Sequence, residues 1–279
     1  MTEERHSNIL GITLLALCSL NACAPCRPAG GAAPAEPRSP GQVGAMLARY
    51  ATCRHYEDHG LLTEVRRPDD GSPPGESRAT FRTLFQRETG SFRFEYDMTE
   101  GASTHQRAVV WRRGAGDARR WWTVTNDVLE GDLSEELEAL AGVSRGATVD
   151  VPAMLLRRGG DRLSGAEIQL GQELIQGVLC SRISAHRGDE RVTVWIALSD
   201  SSLRKIFEKR HLSGVPPAPN ELGLSEQQRA AVAKLGNVAR PFVVETTIEY
   251  APVFDNEIDP ELFAFSVPRN PKADPPREP

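Results

Sequence analysis

The chain has 279 residues, is 39% hydrophobic and carries a formal net charge of -5. That apolar content builds one large domain or two small ones with a real core. The mildly acidic balance excludes electrostatic binding of nucleic acid as a main role, and the Arg119-Arg120-Trp121-Trp122 run reads as ordinary sheet packing.

In chain order, Ile9 to Leu20 is an apolar run (ILGITLLALCSL). It is shorter than the roughly 20 residues needed to span a bilayer but suits the core of a secretory signal, so export is expected. Leu20-Asn21-Ala22-Cys23 follows and resembles the lipobox of bacterial lipoproteins, with Cys23 as the residue that becomes acylated, palmitate being one such acyl group. Ala22-Cys23-Ala24 also fits an ordinary signal-peptidase site, which leaves simple periplasmic export as an alternative, and an uncleaved apolar start as a third. Residues 1–22 are thus expected as a lipoprotein signal peptide. Ala24, rather than Asp, after the cysteine resembles lipoproteins sent to the outer membrane of a Gram-negative cell, facing the periplasm. Residues 23–40, rich in Pro, Ala and Gly without apolar periodicity, read as a tether.

Ser39-Pro40-Gly41-Gln42 has the pattern of a capped helix start, and Val43, Met46, Leu47 and Tyr50 follow at helical spacing, predicting a helix from Pro40 to about Ala51. Cys53 to Val65 reads as a long strand. Between Arg78 and Val124, four short runs alternate side chains with a period of two and are separated by turn residues, as an antiparallel meander requires. Phe81, Thr83 and Phe85 share one face, as do Phe92, Phe94 and Tyr96 opposite Arg93, Glu95 and Asp97, and the pattern continues with Val109 and Trp111. Such a sheet has one wet face and one that must be covered.

Asp132 to Glu135 has capping-box spacing before Leu133, Leu137 and Leu140, and Val151 to Leu156 forms a second short helix. Strands follow between Ile168 and Leu198, turning at Gly188-Asp189, and again at Leu203 to Glu208. Residues 211–238 read as an insertion with its own capped helix. Pro241 to Tyr250 returns as a strand, Ile258 to Phe263 as a short helical turn, and residues 268–279 as a disordered tail.

These elements carry a resemblance: the first helix, Tyr50 to Tyr56, the Phe92-Arg93-Phe94-Glu95-Tyr96 strand, Gly177 to Ile183, Val194-Trp195-Ile196-Ala197, Leu203 to Ile206 and the terminal Ile258-Asp259-Pro260-Glu261-Leu262-Phe263. Together they resemble the outer-membrane lipoprotein carrier and sorting superfamily, the LolA/LolB-like proteins. The likeness spans residues 41–267 by element order. It implies an α+β fold, an unclosed curved antiparallel β half-barrel with helices covering the concave face, and a cavity there for an apolar ligand such as a lipoprotein acyl chain or another lipid. On this sequence Phe81, Phe85, Phe92, Phe94, Tyr96, Val109 and Trp111 would line that cavity or fill it as core. The implied protein is not an enzyme and needs no cofactor. Its partners are membrane lipid through acylated Cys23, an acyl-chain ligand, or an envelope protein for which the fold is a sensor or scaffold.

Little else carries chemistry. In an oxidising periplasm Cys53 and Cys180 are expected to form a disulfide, two buried thiols being the alternative. His55, Glu57, Asp58 and His59 are spread along an extended strand, where residues four apart sit about 13 Å from one another, too far to share a metal ion. No nucleophile elbow or P-loop is present in the sequence.

Overall fold

The computed structural model describes residues 41–100, 104–157, 164–187, 190–212 and 241–268. Helix α1 (Gln42–Thr52) leads into β1 (His55–Pro68), β2 (Gly75–Gln86), β3 (Ser91–Glu100), β4 (Thr104–Arg112), β5 (Ala118–Trp122) and β6 (Val128–Gly131). Two short helices follow, α2 (Leu133–Ala139) and α3 (Asp150–Leu155). The chain then adds β7 (Ser164–Ile175), β8 (Val178–Arg187), β9 (Glu190–Ala197), β10 (Leu203–Leu212), β11 (Phe242–Tyr250) and β12 (Val253–Phe254), and a 3-10 turn at Pro260–Phe263.

The strands make one sheet of 12, unclosed, in the order β6-β5-β4-β3-β2-β1-β11-β10-β9-β8-β7, with β12 beside β1. The expected α+β half-barrel is what the chain forms. Two meanders are zipped together where β1 pairs with β11, Gly60 opposite Tyr250 and Pro68 opposite Phe242. The chain leaves the sheet at the edge strand β6 and re-enters at the opposite edge, β7, and α2 and α3 lie on that path. All three helices bury their apolar stripes in one cluster with the sheet: Val43, Met46 and Tyr50 of α1, Leu133 and Leu137 of α2, Val151, Met154 and Leu155 of α3. One face is therefore covered by helices, as a sheet with a single dry face demands.

Alternation decides which side chains go under the helices. Along β1, Tyr56, Asp58, Leu62 and Glu64 are buried, whereas His59 and Leu61 are exposed. Gly60 stands in this inward row, opposite Phe81, and a β-carbon there would lie 1.9 Å from the Phe81 ring. The glycine lets that ring lie across β1, where it also stacks on Phe94 at 5.9 Å and meets Tyr250 edge-on at 5.6 Å. Arg87 pins the cover down: its guanidinium donates to the carbonyls of Cys53 (2.7 Å), Tyr50 (2.9 Å) and Leu155 (3.0 Å), so one cation satisfies the C-terminal ends of both α1 and α3.

Helix boundaries differ from the sequence expectation at one point. α1 begins at Gln42 with Gly41 as its N-cap and no capping side chain, while Ser39 and Pro40 lie outside the described residues. For α2 the expected cap forms, Asp132 accepting from the Ser134 amide at 2.8 Å. His211 and Leu212, expected to open the insertion, still belong to β10. The remainder of that insertion, the signal segment, the tether, the Gly188-Asp189 turn and the tail from residue 269 lie outside the described residues.

Candidate functional site

The seven residues expected to line a cavity divide between the two faces. Phe81, Phe85, Phe92, Phe94 and Tyr96 are under the helices, each no more than 3% exposed, packed on one another and on the helix side chains. In that packing they act as core. Val109 and Trp111 are not among them. Phe94 pairs with Val110 and Tyr96 with Ala108, so Val109 and Trp111 stand opposite Glu95 and Arg93 and point to the other, outer face. A register offset of one residue reverses every side chain of a strand.

On the outer face Val109, Trp111 and Trp121 form their own cluster, covered by Phe265 and Val267. The segment after β12 crosses this face as a strap. Ile258 and Phe263 pack on Leu84, and the Arg93 guanidinium donates to the carbonyls of Leu262 (2.7 Å) and Ala264 (2.5 Å). Phe265 sits with its ring 5.0 Å from that of Trp111 and 5.5 Å from that of Trp121. The sequence signalled the short turn at Pro260 but not the docking of the residues after it.

The expected Cys53–Cys180 bridge is absent, and both are free buried thiols. Cys53 belongs to the core under the helices, Cys180 to an outer-face cluster with Ile175, Trp195 and Ala197. The sheet stands between them. Burial pushes both thiols above their ordinary pKa, so neither is a reactive thiolate.

β1 also separates its acid-rich end. Glu57 and His59 point outward and touch at 3.3 Å, whereas Asp58 points inward and is fully buried. Among the described residues no group of three or more His, Cys, Asp or Glu is placed to hold a metal ion. Asp58 accepts a 2.7 Å hydrogen bond from the Tyr56 hydroxyl, while its Oδ1 and the Oγ1 of Thr83, its register partner on β2, are buried without a partner. Burial pushes the Asp58 carboxyl up to about 7, the Tyr56 hydrogen bond pulling partly the other way. The Tyr50 hydroxyl, under α1, accepts from the Leu203 amide at 3.2 Å, and its pKa is raised by burial and by Asp58.

Beside the strap, the outer face opens into a groove of about 580 Å³. Its floor crosses β4, β3, β2, β1 and β11 through Arg107, Glu95, Asp97, Arg82, Leu61 and Glu249, and Gln176 reaches it from the β7–β8 turn. The charges are tied in pairs: Arg107 to Glu95 at 2.7 Å, Arg93 to the same carboxylate at 2.8 Å, Arg82 to Glu57 at 2.7 Å, and His105 to Asp97 at 2.8 Å. Lys205 stands 4.0 Å from Glu249. Such a surface presents fixed donors and acceptors of both signs, with Leu61 as an apolar spot among them. Among the described residues no helix is long and apolar enough to cross a membrane.

No family model matches the chain, and no curated protein does. Among solved structures it is similar to a DUF1329 family protein from Desulfovibrio piger, with 10% identity over 80% of this chain and 95% of that one and a TM-score of 0.35. It is also similar to a candidate outer membrane lipoprotein-sorting protein domain from Vibrio parahaemolyticus (7% identity, 80% and 94% covered, TM-score 0.33). A third is a LolA superfamily protein from Nitrosomonas europaea (12% identity, 79% and 96% covered, TM-score 0.29). Identities and TM-scores this low transfer no residue, ligand or activity to this chain.

Proposed function

We propose that the chain is a non-catalytic binding protein of the cell envelope, acylated on Cys23 and held at the periplasmic side of the outer membrane. Its open sheet face receives an extended polar segment of a protein partner. The observation that carries this reading is the groove of about 580 Å³ beside the C-terminal strap, floored by side chains from five strands. Its lining of paired charges and threonine suits a segment with side chains of both signs and offers an acyl chain little. The pairing also supports a non-catalytic role, since Glu95, Asp97 and Glu57 each face a basic side chain rather than a poised acid or base.

The anchor rests on Leu20-Asn21-Ala22-Cys23 and the tether after it. Two or three acyl chains, at about 0.8 kcal/mol per buried methylene, hold a domain at a bilayer surface. Metabolic labelling with a palmitate analogue tests it: label is expected on the wild-type chain and lost in Cys23→Ala.

A photo-crosslinking residue in place of Leu61 tests the groove. It is expected to trap an envelope protein, and Arg107→Glu, which inverts a floor charge, is expected to abolish the product. Capture that persists unchanged in Arg107→Glu would put the partner elsewhere.

A second reading is favoured by the apolar width of the covered face, which runs from Ala118 on β5 to Ile183 on β8 beneath the three described helices. In it those helices lift to admit a lipid or a lipoprotein acyl chain, against the packing that now fills the face. Native mass spectrometry of the Cys23→Ala protein decides between the two: co-purifying lipid supports the second reading, and its absence leaves the groove.

A further inference from the structure

We infer that the β7–β8 hairpin, at one free edge of the sheet, is a membrane-contact surface that rests on the lipid bilayer. Leu174 is the most exposed of the large hydrophobic residues described, at 66%, and its register partner across the hairpin is Leu179, at 46%. The amide of Leu198 donates to the Leu179 carbonyl at 3.0 Å, which sets a third leucine, 42% exposed, beside the pair. Beyond the β7 bulge the side chains change face, Ile168 standing opposite Ser184 on the other side of the sheet, so the patch is the three leucines at the hairpin end.

The patch is an extension of the covered face. Ile183 is buried in the core under the helices and Ser181 is buried next to it in the same row, yet Leu179, the next inward position, emerges. The inward row therefore emerges from under its cover at the edge, where Leu179 and Leu174 follow the polar Ser181–Gln172 pair. A contiguous exposed apolar patch marks a contact surface.

Charge agrees with a lipid partner. From Ile168 to Val178 the only ionised side chain is Glu173, and its carboxylate is engaged on the outer face by the Trp195 indole at 2.9 Å. The other polar side chains of the stretch are Gln169, Gln172 and Gln176, which need no counter-ion to approach an interface.

A second copy of the chain is the competing occupant, and the backbone disfavours it. β7 shifts register between Gln169 and Gly171, with Gly171 at φ +128, and such a bulge interrupts the regular ladder that an added strand would need.

Chain length brings the surface within reach. From Cys23 to Gly41 the tether spans up to about 55 Å if extended as polyproline II, so an acylated chain holds the domain close to its own membrane. This part rests on the proposed acylation of Cys23.

The test uses the full protein purified from membranes and reconstituted in vesicles of phosphatidylethanolamine and phosphatidylglycerol that contain doxyl-labelled lipid. Tryptophan is placed at the patch (Leu174→Trp) or at the opposite sheet edge (Leu129→Trp), both exposed positions. Quenching of the added fluorophore at 174 is expected to exceed that at 129 by about threefold or more, as an interfacial residue requires. Leu179→Asp in the Leu174→Trp background is expected to remove the excess. Equal quenching at the two positions overturns the proposal. So does a dimer in sedimentation that Leu174→Asp dissociates. The mass of the Cys23 peptide from the same preparation separates the two readings: an unmodified cysteine sinks the anchor alone, and quenching by vesicles added to the soluble protein then judges the patch.

Discussion

Asp58 is the side chain whose environment most contradicts its chemistry. A carboxyl held at about 7 by burial takes up a proton on folding, so its contribution to stability is fully present below the ordinary value of 3.8 and is lost as pH rises to about 7. Above that, the folded protein carries a charge in its core or a proton it must hold against solvent. Replacing Asp58 by Asn is expected to leave stability unchanged at pH 4 and to raise it at pH 8 by up to roughly 4 kcal/mol, the equivalent of a three-unit shift. Urea denaturation of both proteins at the two pH values measures this; an equal difference at both would remove Asp58 from the account. The sequence grouped this aspartate with His55, Glu57 and His59 as a polar strand end and did not mark it as buried, because the period-two pattern gives its face only once its neighbours are known to point inward. Gly60 is a second silent position. Gly60→Ala is expected to cost about 1–3 kcal/mol, since the Phe81 ring must leave a place fixed by Phe94 and Tyr250.

At the scale of elements, alternation and capping gave most of the chain. The strands of the first meander, the inward row of Phe81, Phe85, Phe92, Phe94 and Tyr96, and the Asp132 cap could all be read directly. The facing of β4 could not, because Ala108-Val109-Val110-Trp111 is apolar on both parities and both faces of that strand are buried, one by helices and one by the Phe265 strap. Periodicity is mute where both sides are dry. The strap predicts its own test: Phe265→Ala uncovers Trp111 and Trp121, and tryptophan emission is expected to shift to the red with a loss of about 1–2 kcal/mol, Phe265 being part-buried. Arg87 likewise acts between elements. Arg87→Ala removes the charged donor from the carbonyls of Cys53, Tyr50 and Leu155, Tyr50 keeping only the weak Cys53 thiol, and is expected to cost about 1.5–3 kcal/mol, read as a lower urea midpoint.

For the whole molecule, the sheet order was legible only as a class. Local patterns gave the consecutive pairs of the first meander but say nothing of the long-range seam, since the β1–β11 pairing joins residues 174 to 190 positions apart. The same ignorance undid the disulfide: two cysteines in a chain expected to be exported suggested a bridge, but strand parity put them on opposite sides of the sheet. A reductant is therefore expected to leave the melting temperature unchanged, and two thiols of the folded domain are expected to react with a chromogenic disulfide only after denaturation.

The β1–β11 seam sets a timetable as well. A chain emerging end first from a ribosome or through a translocation pore exposes β1 early and β11 only when some 250 residues are out. Until then one flank of β1 is a bare ladder seeking any partner, and a nascent chain paused or clipped before Phe242 would never find the right one. Handling in transit, more than resistance to unfolding afterwards, is where this architecture is vulnerable.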